Sequence, residues 1–390
     1  GGDCQALNAT MRGVVKGLTN SIDDLEVYGF DDGYKGLIYG KYRMLTSKDF
    51  SGILTQGGTI LGTSRQPFKL MRVPDANGLD KVEAMKQTYY KLCLDCLVIL
   101  GGNGTQKTAN LLREEGLNII HLPKTIDNDL CGTDHCPGFG SAAKYIGTTF
   151  AELERDCHVY ATKAVTIVEV MGRDAGWLTA ASCLARANGA KGPDFIYLCE
   201  VPFSIDTFLK DVKAKLEEQD AVIIAVSEGV KNKDGRYISE EVQSSAVDSF
   251  GHSYIAGAAK VLEDAVRNEI GCKVRSIELN LMQRCAAHLA SATDIQESRM
   301  LGKAACQYAL EGAGGMMAAV IRTSDKPYAT EFKALPVCDI ANAIKSVPAD
   351  YINDAGNDVT EKMVDYLTPL IQGEMNTVYE NGIPKYIYLY

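Results

Sequence analysis

The sequence predicts an α/β protein whose mainly parallel sheets carry helices on both faces. Short apolar runs alternate with amphipathic stretches almost to the C-terminus. Between the runs, apolar residues recur at helical spacing, as at Ile205, Phe208, Leu209, Val212 and Leu216. Strands separated by helices make βαβ units, and such units build parallel sheets. Several apolar runs are followed by short polar or Gly-rich segments. In parallel sheets ligands bind at the carboxyl ends of strands, so these segments are where chemistry is expected.

In chain order, Gly1-Gly2-Asp3 reads as a turn of the kind that follows a strand, and a helical pattern runs from Ala9 to Leu18. Strands are expected at Leu25–Tyr28, Cys96–Leu100, Asn118–Leu122, Val165–Val170, Phe195–Cys199, Ala221–Val226 and Lys273–Leu279. Helices are expected up to about Glu115, from Ala142 towards Leu153, and from Ala256 to Ile270, where Gly271 supplies a C-cap. Lys231–Ser245 is polar and contains Asp234-Gly235, so it reads as a loop or hairpin. The tail changes character. Met316–Arg322 and Lys326–Leu335 look like a hairpin, with a helical stretch over Val359–Ile371, and together they suggest an appendage or an oligomer contact.

A chain of 390 residues suggests two domains, or one large α/β domain with an appendage. With 46% hydrophobic and 23% charged residues it can bury a core without disulfides or metals. A net charge of -10 argues against nucleic-acid binding, which needs a basic surface. A polyanionic substrate would need cations gathered locally in a cleft. The 12 cysteines are scattered rather than set in a dense framework, which favours a reducing, cytoplasmic location. No apolar run approaches a membrane span. Cys93 and Cys96, with Cys131, His135 and Cys136, could build a zinc site, but packing at the start of an apolar strand is the better account.

Six segments carry the chemistry. Leu100-Gly101-Gly102-Asn103-Gly104-Thr105 joins a strand to a helix, and backbone N–H groups there make an anion cradle. It is neither of the two commonest Gly-rich nucleotide motifs. Gly1-Gly2-Asp3 with Asn8 is a second candidate cradle. Pro123-Lys124-Thr125-Ile126-Asp127-Asn128-Asp129 places two carboxylates, a hydroxyl, an amide and a cation at a strand end. Packing does not require that density of polar groups, whereas phosphoryl transfer to an alcohol needs a base, metal ligands and cations. Glu169-Val170-Met171-Gly172-Arg173 offers a guanidinium for phosphate. Ser227-Glu228-Gly229 closes another strand, and Arg275 and Arg284 flank Ser276–Gln283. Any one of these charges could be a solvated surface group, but their recurrence at strand ends is what points to a site.

Taken in order, these segments resemble the phosphofructokinase family from Gly1 to nearly the C-terminus. Pro123–Asp129 and Met171–Arg173 are the most specific parts. The resemblance implies two Rossmann-like three-layer domains with the active site in the cleft between them. The donor domain would hold residues 1–133 with part of the C-terminal region, and the sugar-phosphate domain residues 134–310. Residues 311–390 would return to the first domain or form oligomer contacts. The substrates implied are fructose 6-phosphate and ATP or pyrophosphate, with Mg²⁺ as cofactor and a homodimer or homotetramer as the assembly.

The implied roles are these. Asp127 is the base for the sugar's 1-hydroxyl. Lys124 is catalytic. Thr125 and Asp129 hold substrate and metal-phosphate, with Asn103 beside the metal. Arg173 stabilises the moving phosphoryl group, Met171 and Gly172 line the sugar site, and Glu228 holds sugar hydroxyls. Arg275 and Arg284 bind the 6-phosphate, one of them from a neighbouring subunit. Gly1, Arg65, Gly101, Gly102, Gly104 and Thr105 resemble the donor site.

Departures from the family pattern are Gln5-Ala6 for Pro-Gly, Asn103 for Asp, Leu281 for His and Ala164 for Arg. Gly104 leaves space that Asp fills in pyrophosphate enzymes, which favours ATP, whereas Lys124 is typical of pyrophosphate enzymes. Up to about Asp129 the chain resembles the ATP or mixed-substrate branch. From Cys131, through His135–Gly140 and Gly176–Ala180, it resembles the pyrophosphate branch. Donor contacts fall mostly in the first part, so ATP is the expected donor. Two other readings are a dinucleotide or lipid kinase, and a catalytically weak regulatory or binding homologue.

Overall fold

The computed structural model describes residues 2–241 and 257–385, so Gly1 and the later part of the expected Lys231–Ser245 loop lie outside the described residues. Helix α1 (Leu7–Thr19) leads to β1 (Val27–Phe30), α2 (Tyr34–Tyr39) and β2 (Tyr42–Leu45). A βαβ unit follows α3 (Lys81–Lys91): β3 (Leu97–Gly101), α4 (Asn103–Glu114) and β4 (Ile119–Pro123). A second series comprises α5 (Phe139–Cys157), β5 (Ala164–Val170), α6 (Trp177–Ala180), β6 (Phe195–Tyr197), α7 (Ile205–Glu218), β7 (Ala221–Ser227), α8 (Ala258–Glu269) and β8 (Lys273–Glu278). After α9 (Met282–Cys285) and α10 (Ala292–Leu310) come the hairpin β9 (Met316–Asp325) and β10 (Tyr328–Pro336), then α11 (Val337–Ile340) and α12 (Glu361–Leu367).

Two four-stranded sheets organise these elements, one in the order β10-β9-β4-β3 and the other β6-β7-β5-β8. The second sheet is parallel throughout. In the first, β3, β4 and β9 run parallel and only β10 is antiparallel. The hairpin, expected as an appendage, an oligomer contact or a return to the first domain, is therefore part of the first sheet. Its Met317, Ala318, Ala319 and Val320 are buried and continue the core beside β4. β2 escaped the sequence reading because its residues alternate between exposed and half-buried.

Each sheet is covered on both faces, as alternation of side chains along a buried strand requires. On β5, Val165 and Ile167 pack with α7 and α8, while Val168 and Val170 pack with α5 and α6. On the first sheet, Leu97, Ile99 and Ile119 face α3 and α4, and Ile120 and Leu122 face α1 and α10. The α1–α10 crossing is close because glycines stand on both helices. A Cβ at Gly13 would strike the Arg299 carbonyl, and one at Gly302 the Thr10 carbonyl. No helix among the described residues is long and apolar enough to cross a membrane.

Candidate active site

The carboxyl ends of β3, β4, β5, β7 and β8 all lead into short polar loops, and the groups on these loops converge. Register explains why. Gly101 pairs with Pro123 at the end of the first sheet, and Val170 pairs with Ser227 at the end of the second. The turn after β4 is locked locally: the Lys124 N–H donates to the Gly101 carbonyl at 3.1 Å and the Asp127 N–H to Thr125 Oγ1 at 3.1 Å. Asn128 then takes a left-handed conformation, φ 57, which an Asx residue tolerates.

Asp127 is where charges from both sheets meet. Burial pushes its carboxyl pKa up, Lys124 and Arg284 pull it down, and Asp174 pushes it up further. Asp129 is driven to about 7, first by burial and then by Asp127. Glu228 is raised chiefly by burial, opposed by its hydrogen bond from the Gly172 N–H at 3.1 Å and by Arg173. Asp3 is likewise raised by burial and feels both Lys124 and Arg284. These mutual influences set Asp3, Lys124, Asp127, Asp174, Glu228, Arg173 and Arg284 near one another. Perturbed carboxylates clustered in this way mark functional sites.

The candidate donor loop lies beside this cluster. A Cβ on Gly101 would run into the Thr105 side chain, and one on Gly102 would stand 3.5 Å from the Lys124 carbonyl and 3.7 Å from Thr125 Cβ. Gly104 has nothing within 4 Å of where a Cβ would be. A Cβ on Gly2 would collide with Lys124 Nζ, so the first turn and Lys124 are in direct apposition. The Gly2 N–H donates to Thr63 Oγ1 at 2.8 Å, which brings the segment bearing exposed Arg65 to the same edge. Gly1 lies outside the described residues. Asn8 is occupied otherwise: its amide bonds the Gln56 carbonyl and the Ile60 N–H, so it fixes a loop.

Not every expected residue reaches the cleft. Arg275 pairs with Thr166, four residues before the end of β5, or about 13 Å back along the strand. It is half exposed and faces Asp156 at 3.8 Å. Ala164 lies further back still, and Leu281 is 56% exposed. Met171 is held by its N–H, which donates to Gln283 Oε1 at 3.0 Å, and the Gln283 carbonyl accepts from Gln5 Nε2 at 3.0 Å. The departure at Gln5 thus ties the first turn to the loop that carries Arg284. Sequence reading missed Asp174 and Gln283, and it named Asp3 only within a candidate cradle and Gln5 only as a departure from the family pattern. Asp174 follows Arg173 directly and could have been found; nothing local marks the two glutamines.

The zinc alternative fails. Both ring nitrogens of His135 are engaged, by Asp134 at 2.8 Å and by Glu297 at 2.7 Å. Among the described residues no three acidic, imidazole or thiol side chains form a ready-made metal site. Mg²⁺ does not need one, since it keeps waters and takes phosphate oxygens alongside one or two carboxylates. The donor set fits that habit: Asp129 offers a carboxylate, and Asn103 Oδ1 is buried without a hydrogen-bond partner. An apolar cavity of 580 Å³ lies between α1 and β3, but Asp127, Asp129, Arg173 and Glu228 do not line it.

Comparison with known proteins agrees with this geometry. The sequence model of the Phosphofructokinase family matches residues 1–309. The chain is 38% identical over 275 residues to a pyrophosphate--fructose 6-phosphate 1-phosphotransferase of Methylococcus capsulatus, covering 70% of this chain and 65% of that one. It is 34% identical to the enzyme of that name from Xanthomonas campestris, covering 100% of this chain and 94% of that one. It is 36% identical to an ATP-dependent 6-phosphofructokinase of Spirochaeta thermophila, covering 90% and 92%. The matches to the Methylococcus relative and a similar Halomonas elongata one span 65% and 64% of those proteins' length. The crystal structure of a pyrophosphate-dependent phosphofructokinase from Marinobacter aquaeolei superposes with a TM-score of 0.84 at 29% identity, covering 99% of this chain and 93% of that one. The mixed α/β architecture, the cleft and the family match agree, and the chain belongs to the phosphofructokinase family.

Proposed function

We propose that the chain is a 6-phosphofructokinase that transfers a phosphoryl group from ATP to the 1-hydroxyl of fructose 6-phosphate. Asp127 supports the acceptor half of this reading. It is a carboxylate of raised pKa set among cations from both sheets, and a raised pKa makes it a stronger proton acceptor. Asp127 takes the hydroxyl proton as the oxygen attacks the terminal phosphoryl group. Lys124, Arg173 and Arg284 offset the negative charge that gathers there. Thr125 fixes the loop, and Glu228, steadied by Gly172, accepts from sugar hydroxyls. Met171 lines the sugar site. Asp129 and Asn103 would hold Mg²⁺, which would supply further positive charge at the phosphates.

The donor is assigned from Gly104. Its open surroundings leave room for the α-phosphate of a nucleotide against the N-terminus of α4. Gly1, Arg65, Gly101, Gly102 and Thr105 complete the donor edge. Pyrophosphate is the second reading, favoured by Lys124 at the mouth of the donor loop and by the names of the Methylococcus and Xanthomonas relatives. Arg275 stands behind its own cleft, so we assign it to the 6-phosphate of a neighbouring subunit in a homodimer or homotetramer. The first sheet with its C-terminal hairpin would form the donor domain, and the second sheet the sugar-phosphate domain. Initial rates on fructose 6-phosphate with Mg·ATP and with Mg·pyrophosphate test the donor. A larger kcat/KM with pyrophosphate would overturn the ATP assignment and leave the acceptor standing.

A further inference from the structure

Asn128 separates the two carboxylates of the candidate catalytic loop, and its side chain is fully buried. Its left-handed backbone aims Asp127 and Asp129, and its amide is held from three directions. Oδ1 accepts from the Cys136 N–H at 3.0 Å and from Lys345 Nζ at 3.1 Å. Nδ2 donates to the Tyr366 hydroxyl at 2.9 Å, and that hydroxyl donates to the Asp134 carbonyl at 2.7 Å. Two of these three partners come from residues more than two hundred positions along the chain.

Lys345 sits on a strap that joins both sides of the cleft. Ile344 bridges Leu130 in antiparallel fashion, and the Lys345 N–H donates to the Asp129 carbonyl at 2.8 Å. The Lys345 carbonyl accepts from Trp177 Nε1 at 2.8 Å, and its ammonium lies 5.2 Å from the Trp177 ring centre. Two residues on, the Val347 N–H donates to Glu200 Oε1 at 2.9 Å, which also accepts from the Gly176 N–H at 2.9 Å. The strap therefore grips the Asp127–Asp129 loop on one side and, through Gly176 and Trp177, the segment following Arg173 and Asp174 on the other. The ammonium has three donors and three acceptors: Asn128 Oδ1, the Thr133 carbonyl at 3.2 Å and the Asp134 carbonyl at 2.6 Å. A lysine this fully engaged costs side-chain entropy and desolvation, and those costs buy a fixed geometry.

We propose that Lys345 is a positioning residue for phosphoryl transfer, acting through Asn128 to hold Asp127 and Asp129 at fixed places opposite Arg173. It touches neither substrate; it sets the angle of the loop that does. The proposal rests on the phosphofructokinase reading. Misplacing a reacting group by about 1 Å can cost a hundred-fold in rate, so a loosened loop should lower kcat more than it raises KM.

The test begins with fructose 6-phosphate turnover by the wild-type chain. Inactivity there would sink the functional reading itself. With an active wild type, Lys345→Met and Asn128→Gly are compared singly and together, after circular dichroism confirms that each is folded. Glycine accepts the left-handed backbone, so Asn128→Gly removes only the pin. Each single change should lower kcat by about ten- to a hundred-fold while KM moves by less than about three-fold. The double change should be no worse than the poorer single one, because both cut the same link. Unchanged kcat in Asn128→Gly, or losses that multiply in the double variant, would overturn the inference and leave the assigned reaction intact. Should Lys345→Met fail to fold, the Asn128→Gly result decides alone.

Discussion

Gly104 and Asn103 stand side by side at the start of α4, and their environments ask for different things. A side chain at 104 meets nothing, so Gly104→Asp should fold as well as the wild type, with the acid near a helix N-terminus adding a few tenths of a kcal/mol. The new carboxylate would occupy the space assigned to the α-phosphate. We expect kcat/KM for ATP to fall about ten-fold, since a negative charge facing a phosphate costs on the order of 1.4 kcal/mol. Steady-state kinetics with both donors check this, and unchanged ATP kinetics would remove Gly104 from donor choice. Asn103 Oδ1 is buried and without a hydrogen-bond partner, and a bound Mg²⁺ would satisfy it. Asn103→Asp should therefore lower the Mg²⁺ concentration needed for half-maximal rate, as a carboxylate is the better Mg²⁺ ligand. The Pro123–Asp129 loop stood out in the sequence because five polar side chains within seven positions have no packing rationale. Gln283 and Lys345 did not, because each matters only through a neighbour brought by the fold, whereas Asp174 stood next to Arg173 and was passed over.

At the scale of elements, alternating apolar runs sufficed to place the strands of both sheets within about three residues. β5 and β7 are buried on both faces, and such strands read as continuous apolar runs. The β9–β10 hairpin was visible as a hairpin but not as a member of the first sheet, since its pairing with β4 is specified by packing near 200 residues away in the chain. Helix crossings were equally hidden. The approach of α1 to α10 depends on Gly13 against the Arg299 carbonyl, a backbone contact that cannot yield cheaply. Gly13→Ala should cost about 1–3 kcal/mol by overpacking and lower the melting temperature. Gly104→Ala, in open space, should be neutral or stabilising. Equal melting temperatures for the two variants would contradict the crossing geometry.

Across the whole molecule, a buried polar network ties the C-terminal segment to both halves. His135 bridges Asp134 and Glu297. Glu297 accepts from Tyr328 and Thr330 on β10, and Arg322 reaches Asp134 while stacking between Tyr328 and Tyr366. Burial pulls the His135 pKa down, but the hydrogen bonds and charges of the two carboxylates together outweigh it and raise it to about 9. A raised imidazole pKa favours the folded state while the unfolded histidine is also protonated, below about pH 6.5. The contribution, on the order of 3 kcal/mol, is then lost as pH rises towards 9. The melting-temperature gap between the wild type and His135→Gln should accordingly be wide at pH 6 and narrow at pH 9.5. A gap independent of pH would show that the network holds through shape alone. The network, the strap at Lys345 and the two sheets have one consequence in common: they present Asp127 to a cleft built from both sheets. The most direct measurement is formation of fructose 1,6-bisphosphate from fructose 6-phosphate and Mg·ATP by the wild type and by Asp127→Asn. The account predicts turnover by the wild type and a kcat about 10²–10⁴-fold lower in the variant, with KM little changed and the fold intact. Equal rates in the two proteins would contradict it.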